Sequence, residues 1–222
     1  MNNSIKKLNI ILLILLPYVL NAQISRDSIC RAIDIDLECA SKLESIKLKE
    51  YASFVKRDGD SLTLTEGGYE KIKLINNNSD NIDSTILYYF LSFIASKHMF
   101  MVYSQSYEGS CVMLIKSDNK KTITLPSLPI FSQDSSLIVA FNLGLGNLND
   151  VNQIEIWRVS ETKWLNEFSY SNTSDVGPLS VKWVNNKTIE VELGKYNEQQ
   201  SEVVFFKTSK IIKSNEKWVW YW

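Results

Sequence analysis

Three eleven-residue stretches of this chain superpose without a gap: Phe93 to Tyr103 (FIASKHMFMVY), Phe131 to Phe141 (FSQDSSLIVAF) and Trp183 to Leu193 (WVNNKTIEVEL). Each opens on an aromatic residue, passes through a polar turn and ends with apolar residues at every second position. Those positions are Met99, Met101 and Tyr103, then Leu137, Val139 and Phe141, then Ile189, Val191 and Leu193. A period of two predicts a strand with one buried face, and the aromatic before the turn closes the strand that precedes it. The copies lie 38 and 52 residues apart. A unit of that size cannot bury its apolar face alone, so such repeats stack, each covering its neighbour.

The residues after each copy match as well. Val112 to Lys116, Ile154 to Arg158 and Val203 to Lys207 are apolar runs closed by a base. Polar turns follow at Asp118-Asn119, Glu161-Thr162 and Ser214-Asn215, and last strands at Thr122 to Leu125, Trp164 to Tyr170 and Trp218 to Trp222. Each unit reads as a four-stranded antiparallel meander, over 86–127, 128–171 and 179–222. Upstream, short strands around Asp58-Gly59-Asp60 and Gly67-Gly68 make a partial unit over 51–75. Asp27-Ser28 offers an N-cap, and Ile29, Ile33, Leu37, Ala40 and Leu43 follow at helical spacing, which predicts a helix over 27–45. The expected fold is all-β: four-stranded antiparallel meander repeats in a small or incomplete propeller-like arrangement, with a short N-terminal helix. A β-sandwich or an open curved sheet is the alternative.

Gln153 to Val159 followed by Glu161-Thr162-Lys163-Trp164 resembles the third strand, turn and fourth strand of a WD-repeat or TolB-type propeller blade. Pro129-Ile130-Phe131-Ser132-Gln133-Asp134 resembles the P-x-F-S-x-D opening of TolB-type blades. With Tyr107-Glu108-Gly109, these residues also make the chain similar to a family of exported bacterial proteins whose role is uncharacterised. The resemblance covers residues 86 to 222 and implies architecture alone, because propellers host many functions. The histidine and Trp-Asp pairs of true WD repeats are absent, and three clear units are too few for a closed ring.

Residues 1–22 read as a signal peptide. Lys6 and Lys7 precede an apolar run from Leu8 to Leu20, and Ala22 supplies a small residue before the expected cut. The remaining 23–222 is long enough for one sizeable core. Expected localisation is therefore exported, periplasmic or secreted and soluble, with no transmembrane segment in the mature chain. Formal charge is −1, and removing two leader lysines takes it to −3, which gives no reason to expect nucleic acid as a partner.

Three cysteines allow one internal bridge at most. Cys30 and Cys39 fall in the segment read as helical, where nine residues at ~1.5 Å each span about 13 Å, beyond the ~7 Å reach of a disulfide. A bridge, if one forms, is expected from Cys30 or Cys39 to Cys111. Three buried free thiols are the other reading.

No catalytic constellation stands out. His98 is the only histidine and lies in a turn position, so a two-histidine metal site within one chain is excluded. Asn147, Asn149, Asp150 and Asn152 could offer oxygens to calcium, but EF-hand spacing and its closing glutamate are missing. No cofactor and no metal is expected. Glu108, Asp134, Asp150 and Asp175 fall in loops, the only material for a carboxylate pair. Trp218, Trp220 and Trp222 share one face of the last strand, which reads as packing first and as a glycan platform second. In a four-stranded meander, the loop between strands two and three lies at the same end as the link to the next unit. That end gathers the long loops, and ligand-binding residues are expected there: Tyr107, Glu108, Asp150 and Tyr196. The expected function is a non-catalytic binding or interaction module of the cell envelope, its partner an envelope protein or glycan. A carboxylate-based hydrolase acting on envelope glycans is the alternative.

Overall fold

The computed structural model describes residues 36–78, 82–144, 151–160, 163–197 and 202–222. Among them are one α-helix and four antiparallel sheets, so the protein is all-β with a small helix. The helix α1 spans Leu37–Glu50 and begins at Asp36, whose carboxylate accepts from the Cys39 amide at 2.7 Å. Glu38 in the first turn and Lys47 and Lys49 in the last complement the helix dipole. The expected helix over 27–45 is thus placed later: it runs on to Glu50, and 27–35 lie outside the described residues. The Asp36 side chain gives the first turn an acceptor that the helix itself lacks.

The first sheet is β1 (Val55–Asp58), β2 (Ser61–Leu64) and β3 (Ile72–Ile75). The second is β4 (Ile86–Ile94), β5 (Met99–Ser106), β6 (Gly109–Lys116) and β7 (Thr122–Leu125). The third comprises β8 (Ile130–Phe131), β9 (Leu137–Asn142), β10 (Asn152–Val159) and β11 (Trp164–Asn172). The fourth comprises β12 (Val176–Asn185), β13 (Thr188–Asn197), β14 (Glu202–Ser214) and β15 (Lys217–Tyr221). All four are simple meanders in chain order.

Three shared cores join the sheets into an open row. Leu62 and Leu64 of the first sheet pack with Phe100 and Val102 of the second. Met99, Met101 and Tyr103, on the other face of β5, pack with Ile138 and Ala140 of the third sheet. Leu137, Val139 and Phe141 pack with Ile189, Val191 and Leu193 of the fourth. All nine alternating apolar residues of the repeat are buried.

The residues between them decide where the row stops. Phe100, Val102, Ile138 and Ala140 are also fully buried, because the second and third sheets are covered on both faces. In β13 the residues that alternate with the buried Ile189, Val191 and Leu193 are Glu190 and Glu192. Glu190 stands between Lys182 and Lys210 in register, an alternating-charge ladder on the outer face. The outer face of the first sheet carries Lys56, Thr63 and Lys73 side by side. Polar outer faces cap a stacked array at both ends.

One register differs from the sequence superposition. In the first two copies the pairs Phe93–Phe100 and Phe131–Ile138 are seven residues apart, whereas Trp183 pairs with Ile189, six apart. Structurally, Ile189 therefore matches Phe100 and Ile138. It faces the preceding sheet, while its sequence counterparts Met99 and Leu137 face the following one. A one-residue slip moves every side chain to the opposite face. The fourth sheet has only its preceding neighbour, so the slip puts its apolar set where a partner exists.

The expected bridge to Cys111 does not form. Cys39 is disulfide-bonded and Cys111 is a free thiol, half-buried, its pKa raised chiefly by burial. The distance argument against a bridge within the N-terminal segment assumed a helix running through Cys30. The helix starts only at Leu37, and Cys30 lies outside the described residues.

At the open edge of the second sheet, α1 and the first sheet supply partners for β4. Glu44 Oε1 accepts from the Phe90 amide at 2.8 Å, and Asn76 Oδ1 accepts from the Tyr88 amide at 2.8 Å. Arg57 donates to the Tyr88 carbonyl and, through Nη2 at 2.6 Å and Nε at 3.2 Å, to the Glu44 carboxylate. Glu44 and Arg57 are largely buried, so removing one strands the other. Glu44→Ala is expected to cost about 3–5 kcal/mol, the usual result of leaving half a buried pair. Urea denaturation of both proteins measures this, and a loss under 1 kcal/mol would show the bridge to be dispensable.

Candidate functional site

In each four-stranded sheet the loop between the second and third strands lies at the same end as that sheet's link to its neighbour. In the second sheet this loop is the two-residue turn Tyr107-Glu108, closed by the Ser106–Gly109 pair, with Ser106 Oγ donating to the Gly109 carbonyl at 3.1 Å. Gly109 has φ +143°, a conformation that excludes most side chains, so the Tyr-Glu-Gly triplet has a backbone reason. Tyr107 is 62% exposed, at the tip of two strands that are otherwise mostly buried. Glu108 beside it is exposed.

Tyr196 is half-buried near the end of β13 and pairs with Val203. Its neighbour Lys195 forms an ion pair with Asp175 of the preceding link at 3.2 Å, so Asp175 is spent on holding that link. Asp150 lies outside the described residues. Tyr107 and Glu108 therefore share one hairpin tip, and Tyr196 lies two sheets away at the link end of its own sheet.

The asparagine considered for calcium has a different task. Asn152 is fully buried at the start of β10. Its Oδ1 accepts from the Gly144 amide at 3.0 Å, and its Nδ2 donates to Asn172 Oδ1 at 3.2 Å and the Ser174 carbonyl at 2.7 Å. One amide thus ties the loop of the third sheet to the link that starts the fourth. The backbone of Gly177 passes so close that a Cβ there would stand 1.8 Å from Asn152 Oδ1. Asn147 and Asn149 lie outside the described residues. Among the described residues, no three histidine, cysteine or acidic side chains gather as a metal site would need.

Asp134 is a turn brace. Its Oδ1 accepts from Ser132 Oγ at 2.8 Å, the Ser136 amide at 3.0 Å and Ser136 Oγ at 2.9 Å. Ser132 Oγ in turn accepts from the Leu137 amide at 3.0 Å. Burial pushes the Asp134 carboxyl up, but these hydrogen bonds outweigh it and its pKa is lowered. The serine and aspartate of the Pro129 to Asp134 segment thus shape the turn into β9.

His98 occupies the turn between β4 and β5 in the left-handed region, φ 50°. Its Nδ1 lies 2.6 Å from Glu66 Oε1, reaching from the first sheet, and the other carboxylate oxygen accepts from Ser117 Oγ. Serine, carboxylate and imidazole are together, but in the wrong order for nucleophilic chemistry. The carboxylate stands between the other two, so the buried Ser117 proton points at Glu66 and no imidazole can take it. The trio acts as a clasp between the first and second sheets.

Glu167 of β11, which the sequence did not single out, is the corresponding clasp between the third and fourth. It accepts from Arg158 Nε at 2.6 Å, Lys213 Nζ at 2.8 Å and Trp218 Nε1 at 2.9 Å. Burial raises its pKa, and the three donors more than offset this, holding it below the ordinary glutamate range. Arg158 stood out in the sequence only as the base that closes the Ile154 to Arg158 run, and nothing there linked it to Lys213 or Glu167. The three tryptophans of the last strand separate: Trp218 is buried on Glu167, Trp220 is half-buried, and Trp222 is 53% exposed.

Two tests follow from these contacts. Gly177→Ala should destabilise the fold by up to about 3 kcal/mol, as overpacking does, since Asn152 must leave its place. A melting temperature equal to wild type would refute the close approach. Glu167→Gln should cost about 3 kcal/mol at neutral pH by leaving Lys213 buried without its counter-charge. A depressed carboxylate stabilises above its unfolded pKa and loses that contribution as pH falls through the folded value. The gap between wild type and variant should therefore shrink from about pH 4 downward, and a gap constant from pH 7 to pH 2.5 in denaturant titrations would contradict it. Comparison of the chain with known protein families, with characterised proteins and with solved structures finds no match.

Proposed function

We propose that this chain is a non-catalytic binding or interaction module, exported to the cell envelope by its first 22 residues. The observation that carries the reading is the Tyr107-Glu108 tip: an exposed aromatic and an exposed carboxylate on a two-residue turn between β5, buried on both faces from Met99 to Ser104, and β6, mostly buried in its second half. A rigid scaffold that holds a tyrosine in water keeps a large contact surface ready at little entropic cost. Several carboxylates that would suit a reaction already make structural contacts. Glu66, Asp134, Asp175 and Glu167 each brace a turn, a link or a sheet boundary. The units resemble blades of the WD-repeat and TolB type, an architecture that hosts many functions. Among the described residues no helix is long and apolar enough to cross a membrane.

The test is capture of partners by the mature protein from an envelope extract, identified by mass spectrometry and repeated with Tyr107→Ala, Glu108→Ala, Asp150→Ala and Tyr196→Ala. At least one partner should be lost or weakened by the Tyr107 and Glu108 changes, with about 1–3 kcal/mol for a hot-spot tyrosine in a direct titration. Partners captured equally by all four variants would move the site off this end of the sheets.

A further inference from the structure

Trp222 is stacked on Trp220, with ring centroids 4.3 Å apart and planes within 11°. A ring covered on one face by a parallel neighbour and open on the other is about half exposed, as Trp222 is at 53%. Trp220 covers only one of the two ring faces of Trp222, and over half of the residue remains in contact with solvent. Trp220 beneath it is held in place, its Nε1 donating to the buried Ser209 Oγ at 2.9 Å. Tyr170, from the third sheet, stands edge-on to both indoles, 4.5 Å from Trp220 and 5.4 Å from Trp222. The corner is thus fixed from both sides of the boundary between the third and fourth sheets.

Its polar rim is built from the core outward. Asn152, fully buried, donates to Asn172 Oδ1, and Asn172 Nδ2 donates to the Tyr170 hydroxyl. With its oxygen accepting from Asn172, that hydroxyl keeps its own proton to give outward, and a chain of such bonds strengthens the final donor. The indole N–H of Trp222 has no acceptor among the described residues, which leaves a second donor beside the open face.

We propose that this corner is a carbohydrate subsite, in which the open face of Trp222 stacks on the C–H face of a pyranose and Tyr170 donates to one of its hydroxyls. The inference rests on the binding reading above and names a ligand class for it. An entirely apolar occupant would leave both donors unpaired, which costs binding. A charged one would find no counter-charge in the side chains that hold these rings, Ser209 and Asn172. A sugar ring matches both halves of the corner, with one apolar face and hydroxyls around its edge.

The experiment titrates the mature protein with β-1,4-glucose, α-1,4-glucose and β-1,4-N-acetylglucosamine hexasaccharides, followed by tryptophan fluorescence and calorimetry. A saturable response is expected with at least one of them. Trp222→Ala should weaken it at least tenfold, Trp222→Phe less, and Tyr170→Phe should weaken it several-fold while leaving the stack. Because Trp222 is exposed, the alanine variant should keep its thermal stability, so lost binding reports on contact rather than folding. No saturable response to any of the three, or undiminished binding by Trp222→Ala, would overturn the proposal. Envelope partners still captured through Tyr107 would then leave the broader binding reading standing. A proline-rich peptide that bound at Trp222 where the sugars did not would overturn it in favour of a protein ligand.

Discussion

The Glu44 carboxylate is the contact on which the N-terminal half of the structure hangs. It receives the Phe90 amide of an edge strand and the Arg57 guanidinium of the first sheet, and it belongs to the helix. An edge strand with unpaired amides invites pairing by any other chain. Here a side chain takes the place of a neighbouring strand, and the same bond draws helix, first sheet and second sheet together. The apolar residues around it follow: Ala40 enters the core between the second and third sheets, while Leu48 and Tyr51 pack against the core between the first and second. Desolvating a carboxylate and a guanidinium is costly, and it is tolerated because the pair and the backbone groups satisfy one another.

The remaining boundaries repeat that logic with different residues. Each pair of sheets shares one apolar core, and two of the three boundaries add a polar clasp: Glu66 with His98 and Ser117 at one, and Glu167 with Arg158, Lys213 and Trp218 at the other. The cores are non-directional and would tolerate sliding. The clasps have geometry, so they fix how one sheet sits on the next.

Much of the architecture could be read from residue order because stacking writes itself into strand alternation. Strands covered on both faces need apolar residues throughout, as in Met99 to Tyr103. Strands covered on one face alternate, as in Ile189 to Leu193, and that difference marks an inner and an outer sheet. The phase of the third copy was not legible. An ungapped superposition matches apolar residues whichever way they face, and only the shorter hairpin between Trp183 and Ile189 reveals the slip. The bridge of Cys39 was misassigned because a helix start was placed at Asp27-Ser28, whereas the cap is Asp36. Of the candidate site residues, Tyr107 and Glu108 were legible as part of a loop between two strands; that this loop shrinks to a two-residue turn was not. Trp220 and Trp222 were legible as one face of aromatic residues, but Tyr170 was not, because it comes from another sheet and strand periodicity carries no information about contacts between units.

The open row has a consequence for how the molecule comes apart. Each sheet is stabilised by what lies directly beside it, and the two end sheets have one such neighbour where the inner sheets have two. Cooperativity in such an array passes only between adjacent members. Amide protons of the fourth sheet can therefore exchange through openings that leave the second sheet closed, and those of β5 and β9 should be the slowest of all. Since Trp222 and Trp220 belong to an end sheet and Tyr170 to the next, anything that settles on their shared corner holds the outermost member to the row. Occupancy there and resistance to fraying would be the same event seen by two methods.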